Sequence, residues 1–327
     1  MKIFIFSCLF FYTSIYADSP KRDLHQLIVS LIDEQPKIKK HFNGIPISKD
    51  GLILVNQDEI EKESCVKIQN AKSKECAISI NTDSHVGKTI IRTNEKFKTF
   101  LDITKLQSND LEPIFYYGKS GNVNLMSKVS AIDCLLQFPM NSDKVFSSIF
   151  YHCFEIPNLF QSNENKYFEL KLEEVKDIIL ILEGGIVTNK NHEPIGMLFI
   201  AQKYITDNGI KIKGRFNLFS DFKKLISKSL KKEELKSATF GIAFGEVDLT
   251  SKPIIEEIKS KSAGEIVGLK KGDCVLSINS NPTNTVEQFI KILREYDPDE
   301  IVKIKILRAN EELEFTVKLK ERMVYKP

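Results

Sequence analysis

Residues 262–279 read SAGEIVGLKKGDCVLSIN, and this stretch decides the fold of the C-terminal part of the chain. Its glycines permit tight turns, and Asp273 is placed to hydrogen-bond nearby backbone just before a buried strand begins. Around it, residues 237–320 have the pattern β-β-loop-β-α-β-β, and Thr285 with Gln288 three residues on forms a capping box that starts the helix. We therefore expect a separate α+β domain here.

The order Ser-Ala-Gly, then Gly-Leu-Lys-Lys-Gly-Asp, then Ile-Asn resembles PDZ domains of the HtrA (DegP) type over the whole of residues 237–320. PDZ domains bind extended C-terminal peptides by adding a strand to a sheet edge, and N–H groups of a short loop capture the terminal carboxylate. The resemblance implies a peptide groove lined by Phe240, Gly241, Ile242, Ala243, Phe244, Val286, Ile290 and Leu293.

In this groove the resemblance makes Phe240-Gly241-Ile242 the carboxylate loop and Ala243-Phe244 the edge strand. The opposite wall is a helix face with apolar residues spaced i, i+4 and i+7. Val286 stands where the helix begins, and an aliphatic residue there favours an apolar ligand side chain over a hydroxyl. The alternative is that the apolar helix residues only fill the core, which is the favoured interpretation for Phe289.

Residues 37–217 contain many short β-type runs separated by polar turns, with little helix between them, which predicts an all-β barrel or sandwich. Gly44 to Asn56, Ile114 to Gly118 with Val129 to Ile132, and Phe216 to Phe219 resemble the trypsin-like protease domain of the same family. The fold expected for the whole chain is mainly β: a trypsin-like double β-barrel followed by a PDZ domain.

The positions that carry catalysis in that family hold other residues here. Glu183 stands before Gly184-Gly185, where the family has its nucleophilic serine, and Asp58 stands in the histidine position. The aspartate position falls on Phe97, at the start of a segment, 97–103, that resembles a strand of the family. Serine acylation needs a hydroxyl, an imidazole that takes its proton, and a carboxylate that orients the imidazole. The sequence thus predicts a protease scaffold that is not an enzyme.

The same positions offer a second possible chemistry. Asp58 and Glu183 would face each other if the barrels dock as in the family, and two carboxylates can act as acid and base. The favoured interpretation is that both are solvated remnants. Of the histidines, His152 would point away from Cys153 on a strand, and His192 is expected to be solvated in a polar turn.

Residues 1–17, MKIFIFSCLFFYTSIYA, have Lys2, a short apolar core and a small residue at Ala17, the pattern of a secretory signal peptide cleaved before Asp18. Cys8 fits a lipoprotein cleavage site poorly. We expect a periplasmic or secreted protein with an N-terminal segment at 18–42, a protease-like domain at 43–232 and the PDZ domain at 237–320.

Two helices are expected outside the PDZ domain. Leu24, Leu27, Ile28 and Leu31 have helical spacing within residues 18–35, which Pro36 ends. Ser220-Asp221 is predicted to cap the other helix, whose apolar face would hold Phe222, Leu225, Ile226 and Leu230.

Export makes the cysteines candidates for disulfide bonds. Cys65 and Cys76 flank a predicted hairpin, and Cys134 and Cys153 flank another loop, so both pairs are candidate bridges; Cys274 is expected to be an inert core thiol. No Cys or His spacing indicates a metal site, and no cofactor is expected. Lys and Arg number 47 against 44 Asp and Glu, a balance too even to indicate nucleic acid binding.

These features predict an exported, catalytically inactive HtrA-like protein that binds C-terminal or extended peptides as an adaptor, sensor or chaperone in the cell envelope. The expected partners are protein C-termini, unfolded envelope proteins or an active HtrA-type protease, and the resemblance implies a homo-oligomer, a trimer in that family. The alternative is a hydrolase of the same family with a divergent active site.

Overall fold

The computed structural model describes residues 24–34, 39–56, 65–69, 71, 75–83, 86–106, 115–120, 123–132, 152–156, 159–161, 167–169, 184–206, 209–245 and 250–322. They form two compact units, each treated by itself below. The first takes its residues from 1–79, 87–135 and 151–220, and the second from 80–86, 136–150 and 221–327.

Fifteen strands precede residue 220 in the described ranges, and most belong to the first unit. In chain order, β1 to β15 are Val29–Glu34, Lys39–Pro46, Leu52–Asn56, Val66–Ile68, Ile78–Asp83, Lys88–Arg92, Phe115–Ser120, Val123–Lys128, Ser130–Ile132, His152–Ile156, Leu159–Gln161, Tyr167–Glu169, Ile186–Thr188, Pro194–Thr206 and Gly209–Leu218. Short 3₁₀ turns occur at Leu24–Leu27, Ile103–Lys105 and Phe219–Phe222.

The first sheet has the strand order β4-β1-β2-β3-β6-β5. Its pairs β1–β2, β2–β3 and β3–β6 are antiparallel. β3 is buried along its whole length, as its unbroken apolar run Leu52–Val55 requires. Inward side chains form one cluster, with Phe97 among the partly buried residues packed against it: Leu31, Phe42, Ile53, Val55, Val66 and Ile91.

The helix expected over residues 18–35 was wrong in its described part. Leu24–Leu27 form a single 3₁₀ turn, and Val29–Glu34 form strand β1, which pairs with β2 on one side and β4 on the other. The four apolar residues that suggested a helix are all buried. Pairing on both edges satisfies the backbone of this segment, and β-branched Val29 and Ile32 favour a strand, so tertiary context overrides the spacing.

The second sheet of the first unit has the order β12-β11-β8-β7-β13-β14-β15-β10-β9. β14 and β15 form its long antiparallel hairpin, with a register shift between Leu198 and Ile200. Tyr116, Ile186 and Phe216 are fully buried. The short β-type runs of the sequence therefore pair into two antiparallel sheets, and the mainly β fold class is confirmed. One β-type run of the sequence, DIILIL at residues 177–182, lies outside the described ranges.

Cys65 and Cys76 are joined by a disulfide bond across 11 positions of the chain. The bond lies beside an antiparallel bridge between Val66 and Ala77, so it closes the hairpin at its base. Cys134 lies outside the described residues, as does the side chain of Cys153, and the second candidate bridge stays a prediction.

The second unit contains the segment that resembles a PDZ domain. Its strands β16 to β23 are Ala238–Thr239, Ile242–Phe244, Ile255–Ile258, Cys274–Ile278, Asn281–Pro282, Ile301–Arg308, Glu311–Lys318 and Lys320–Glu321. Its helices are α1 (Lys223–Leu230), α2 (Ala263–Ile266) and α3 (Val286–Leu293). The strands form the four-stranded sheet β20-β19-β21-β22 and the pairs β16-β23 and β17-β18.

The sequence pattern missed the short helix α2. Ser262 caps it by accepting the Glu265 N–H at 3.1 Å, and a Glu265 carboxylate oxygen accepts the Lys261 N–H in return. The Ser-x-x-Glu sequence is the pattern of a capping box, although Glu265 bonds the N–H of Lys261, one residue before the cap, instead of that of Ser262. The signal was therefore present in the motif that identified the domain.

Helix α1 differs from the prediction in two ways. It begins at Lys223, after the 3₁₀ turn Phe219–Phe222, without a side-chain cap from Ser220. Leu230 is exposed, whereas Ser229 is buried in its place. The Ser229 hydroxyl donates to the Leu225 carbonyl and accepts from Asn81 Nδ2 at 3.0 Å. These two hydrogen bonds offset the cost of burying a hydroxyl group.

Helix α1 is also tied to the end of α3. Lys224 Nζ donates to the carbonyl oxygens of Arg294 and Tyr296, at 3.0 and 2.6 Å. Arg294, which follows α3, lies 2.5 Å from Asp83, and both side chains are largely buried. These contacts explain why residues 80–86 and α1 belong to the C-terminal unit, although the sequence assigned both to the domain at 43–232.

Within the described ranges, no helix has the length and apolar character needed to cross a membrane.

Candidate peptide groove and catalytic positions

The loop Phe240-Gly241-Ile242 is held in one orientation by its carbonyl groups. The Phe240 carbonyl accepts the Gly264 N–H, and the Gly241 carbonyl accepts the Lys259 N–H, both at 2.8 Å. In a trans peptide the N–H of the next residue points opposite to the carbonyl. The N–H groups of Gly241 and Ile242 are thus directed away from α2 and β18, as a carboxylate loop needs.

Gly241 is required at the centre of this loop. Its φ of +72° lies in the left-handed region, and a Cβ there would stand 2.3 Å from Ser262 Cβ. Its N–H donates to Thr239 Oγ1 at 2.9 Å. The loop is therefore fixed by backbone geometry, and one of its outward donors already has an acceptor within the chain.

Strand β17 (Ile242–Phe244) pairs antiparallel with β18, and these two strands form a sheet of their own within the described part of the chain. Ile242 lies opposite Ile258 and Ala243 opposite Glu257, after which a bulge brings Phe244 opposite Ile255. The other edge of β17 has no strand on it among the described residues. An edge of this kind can accept an added strand.

The helix wall is built by α3. The Thr285 hydroxyl accepts the Gln288 N–H at 3.2 Å, the N-terminal cap that the sequence predicted. Gln288 Oε1 accepts the N–H of Asn284 rather than that of Thr285. Val286 and Ile290 are buried and Leu293 is half-buried, so they form one apolar helix face.

Phe289 joins the strand and the helix at the floor of the groove. Its ring stands edge-on to Phe244 with centroids 4.9 Å apart, and lies 5.9 Å from the ring of Phe240. Phe244 thus points to the α3 side of β17, and Ala243, its neighbour, points to the opposite face. Phe289 is 3% exposed, so its role is in the core, as the sequence indicated.

Of the three catalytic positions, Asp58 and Glu183 lie outside the described residues, and Phe97 lies within them. Phe97 is not on a strand: its N–H donates to the Lys49 carbonyl at 3.0 Å, and residues 103–105 form a 3₁₀ turn. The expected strand over 97–103 is therefore wrong. Asp102 lies before the 3₁₀ turn and pairs with Lys105 at 2.7 Å.

The glycines after Glu183 are closely packed. Gly184 has φ +81°, and a Cβ there would lie 2.4 Å from the Asn43 carbonyl oxygen. Its N–H donates to the Leu198 carbonyl, and the Leu198 N–H donates to the Gly185 carbonyl, which ties the turn to β14. The Tyr116 ring covers Gly185, since a Cβ there would lie 2.3 Å from a ring carbon. Both glycines are therefore required by the fold.

His192 is half-buried rather than solvated, in contrast to the prediction. Its Nδ1 lies 2.7 Å from the Tyr117 hydroxyl, and its ring stacks on Phe115 at 4.3 Å. Burial lowers the pKa of His192 and raises the pKa of Tyr117. His192 and Tyr117 therefore form a neutral hydrogen-bonded pair at the β13–β14 turn. In that turn, Asn189 Oδ1 accepts the N–H groups of residues 191 and 193.

A buried polar group that the sequence did not indicate lies between β6 and the β14–β15 hairpin. Lys88 is fully buried, with Nζ 2.6 Å from Asn217 Oδ1 and 4.5 Å from the centre of the Phe199 ring. Its cross-strand neighbour Asn56 donates to the Leu198 carbonyl. A lysine at the start of an apolar strand looks like any edge residue, so no pattern could have placed it inside.

The described residues contain no cluster of three or more His, Cys, Asp or Glu side chains arranged to hold a metal ion. Cys274 is a free, half-buried thiol whose pKa is raised by burial.

Comparison with known proteins agrees with this geometry. Residues 238–319 match the PDZ domain family, which confirms the resemblance of the C-terminal segment. The chain is 22% identical over 306 residues to a protein named probable periplasmic serine endoprotease DegP-like from Rickettsia conorii, and 22% identical over 307 residues to its namesake from Rickettsia prowazekii. Each alignment covers 88% of this chain, which spans only 55% and 54% of those relatives.

Solved structures show the same fold. A crystal structure of the serine endoprotease from Yersinia pestis covers 94% of this chain, and all of that chain is covered, with a TM-score of 0.59 at 14% identity. The HtrA-type protease AlgW, solved with a decapeptide, covers 91% of this chain, and 96% of AlgW is covered, with a TM-score of 0.61 at 11% identity. Fold and domain order thus agree with the expectation from sequence.

Proposed function

Because this chain has the fold and domain order of HtrA-type proteases, we propose that it is an exported pseudoprotease that binds C-terminal or extended peptides through its PDZ groove without cleaving them. It then acts in the cell envelope as an adaptor, sensor or chaperone. The observation that carries the proposal is the groove of the C-terminal unit, in a chain whose sequence holds other residues at the three catalytic positions.

The groove has each part that strand addition needs. The loop directs the Gly241 and Ile242 N–H groups outward, β17 has an open edge in the described structure, and α3 provides an apolar wall. Main-chain hydrogen bonds then supply affinity, and pockets for alternate side chains supply specificity. The structural relative AlgW was solved with a decapeptide, which supports peptide binding as the mode of action.

The side chains at the catalytic positions support a protein without proteolytic activity. Glu183 and Asp58 have neither the hydroxyl nor the imidazole of a serine relay, and Phe97 packs against an apolar cluster. The curated relatives are named endoproteases, but activity belongs to a site rather than to a fold. We therefore assign no hydrolysis to this cleft.

Export is supported by the N-terminal sequence pattern and by the relatives, which are named periplasmic. In that compartment the exposed C-termini of unfolded envelope proteins are available ligands, and an active HtrA-type protease is an available partner. A homo-oligomer, as the family resemblance implies, would multiply the groove and raise avidity.

Peptide binding is tested by fluorescence anisotropy with the intact protein and a labelled peptide that ends in Val-x-Val, as free acid and as amide. We expect the free acid to bind and the amide to bind at least about tenfold more weakly, because hydrogen bonds to a charged group contribute about 1.5–3 kcal/mol. Equal binding of acid and amide contradicts a carboxylate loop.

The groove variant for this test is Leu293→Glu, which puts a charge on the half-buried end of the helix wall. Gly241 is unsuitable, since any side chain there collides with Ser262 and disrupts the loop itself. Ile301→Glu, at an exposed position of the four-stranded sheet, is the matched control. Loss of binding in the first variant alone places the ligand in the groove.

The hydrolase alternative is tested with the same protein. A serine-directed fluorophosphonate probe and a casein degradation assay should both give no signal, with an active HtrA-type protease as positive control. Cleavage that disappears in Glu183→Ala or Asp58→Ala would show a divergent active site and contradict the pseudoprotease proposal.

A further inference from the structure

The outward face of the β17–β18 ribbon carries two consecutive carboxylates beside the open edge of β17. β18 contains a bulge, and both Glu256 and Glu257 are exposed, between buried Ile255 and half-buried Ile258. A bulge sets two residues of one strand against one residue of the other. Glu256 and Glu257 therefore lie on the same, solvent-facing side of the ribbon.

The direction of a bound peptide follows from the loop. The carboxylate donors lie at residues 240–242, where β17 begins, so the peptide's C-terminus must lie there and the peptide must run antiparallel to β17. Its last residue then lies opposite Ile242, its second-last opposite Ala243 and its fourth-last opposite Gly245. Because side chains alternate along a strand, the last and third-last residues face α3, and the second- and fourth-last face outward.

The outward positions meet the two carboxylates. Ala243 lies directly opposite Glu257, so the backbone of the second-last ligand residue would lie two strand spacings, about 9.6 Å, from the backbone of Glu257. Ala243 is too small to fill this gap, which a lysine or arginine side chain and the glutamate can bridge together.

The fourth-last ligand residue lies opposite Gly245, which has no side chain. A Cβ there would lie 3.1 Å from Glu256 Cγ and 3.3 Å from Oε1, so this carboxylate lies over Gly245. A ligand side chain at this position would lie on the same face of the ribbon as this carboxylate.

The basic groups on this face leave the carboxylates available. Lys271 lies 3.6 Å from Glu256, but its side chain is 75% exposed, so solvent screens the pair and a ligand cation can compete with it. Glu257 has no ion pair with any described residue. Lys259 lies opposite Gly241, as its N–H bond to the Gly241 carbonyl shows, and there it favours the ligand's terminal carboxylate.

The inference rests on the peptide groove of the proposed function and adds the class of ligand. We propose that the groove selects C-termini with apolar residues at the last and third-last positions and lysine or arginine at the second- and fourth-last positions, recognised by Glu257 and Glu256. The charge pattern along the ribbon, positive at the loop and negative farther on, complements a peptide of this kind and disfavours acidic C-termini.

The test is fluorescence anisotropy with the intact protein and four labelled peptides. Three are free acids that end in Lys-Val-Lys-Val, Ser-Val-Ser-Val and Glu-Val-Glu-Val, and the fourth is the Lys-Val-Lys-Val amide. We expect the lysine peptide to bind about three- to tenfold more tightly than the serine peptide, from two exposed ion pairs, and the glutamate peptide to bind most weakly. High salt should reduce the differences.

The double variant Glu256→Gln/Glu257→Gln should bind the lysine and serine peptides equally. Its matched control is Glu311→Gln/Glu312→Gln, which removes two consecutive exposed carboxylates from β22, a strand of the other sheet. This control should keep the preference, which excludes an effect of net charge alone.

Equal binding of the lysine and glutamate free acids, with the amide weaker, would overturn the charge selection and leave the groove proposal standing. Equal weakening of the preference in both double variants would also overturn it. No binding of any free acid would refute the proposed function itself.

Discussion

The Thr239 hydroxyl accepts the Gly241 N–H at 2.9 Å, so a side chain of the chain itself occupies one donor of the loop assigned to the ligand carboxylate. A carboxylate accepts more strongly than a hydroxyl, because the bond is charge-assisted. Binding must therefore exchange one acceptor for the other.

Thr239→Val tests this exchange. Valine keeps the β-branched shape that suits strand β16 and removes the competing acceptor. We expect affinity for a free-acid peptide to rise about two- to tenfold, since a neutral hydrogen bond contributes about 0.5–1.5 kcal/mol that binding no longer has to break. Titration by anisotropy measures it, and a loss of affinity would show that the hydroxyl donates to the ligand instead.

Arg308 holds the buried carboxylate of Asp273 with two hydrogen bonds of 2.7 Å, and the Lys270 N–H adds a third. Burial raises the pKa of Asp273, but the hydrogen bond from Arg308, that from Lys270 and the guanidinium charge together hold it below its usual value. Arg308→Met should lower the free energy of unfolding by about 2–4 kcal/mol at neutral pH, because a buried charge loses its partner.

The pH dependence of this pair has a defined sign. A carboxyl whose folded pKa is depressed stabilises the fold above its unfolded pKa of about 3.9 and loses that effect as the pH falls through its folded pKa. The difference between wild type and Arg308→Met in chemical denaturation should therefore shrink below about pH 4. Lys305→Met, which removes an exposed pair with Glu312, is the control and should change stability by less than about 1 kcal/mol.

His192 makes stability depend on pH nearer to neutrality than Asp273 does. Burial lowers its pKa, so the unfolded imidazole, with a pKa of about 6.5, binds a proton more readily than the folded one. Wild-type stability should fall as the pH drops below about 6.5. His192→Asn, which tolerates the left-handed φ of 57°, should flatten that slope in denaturation curves; an unchanged slope would mean that other groups produce it.

The Cys65–Cys76 bond closes a loop of 11 positions. In the chain-entropy account such a loop stabilises by about 2–3 kcal/mol. Cys65→Ser/Cys76→Ser should lower the unfolding free energy of the first unit by that amount and become insensitive to reductant. A reductant-sensitive melting temperature in the double variant would point to another disulfide bond.

The sequence predicted the PDZ elements well because glycines, caps and turns determine them locally. Asp273 bonds the Lys270 N–H, and Thr285 caps α3, as expected. Prediction from the sequence failed where pairing between distant segments determines the secondary structure. The helical spacing of Leu24, Leu27, Ile28 and Leu31 predicted a helix, but a strand partner on each edge, which periodicity does not show, makes Val29–Glu34 a strand.

The groove residues could be named from the family motif, but their electrostatic surroundings could not. Glu256 and Glu257 look like ordinary exposed residues until the bulge in β18 and the register with Ala243 place them together. Lys88 shows the same limit, because only the packing of β6 against β15 reveals its contact with Asn217.

The central claim is that the protein binds a peptide C-terminus and leaves it intact. The most direct measurement incubates the intact protein with a labelled Lys-Val-Lys-Val free-acid peptide, records its anisotropy, and then determines the peptide's mass. We predict saturable binding, loss of binding in Leu293→Glu, and an unchanged peptide mass after prolonged incubation. A cleaved peptide would contradict this claim. Binding of equal affinity in wild type and Leu293→Glu, and for the free acid and the amide, would also contradict it.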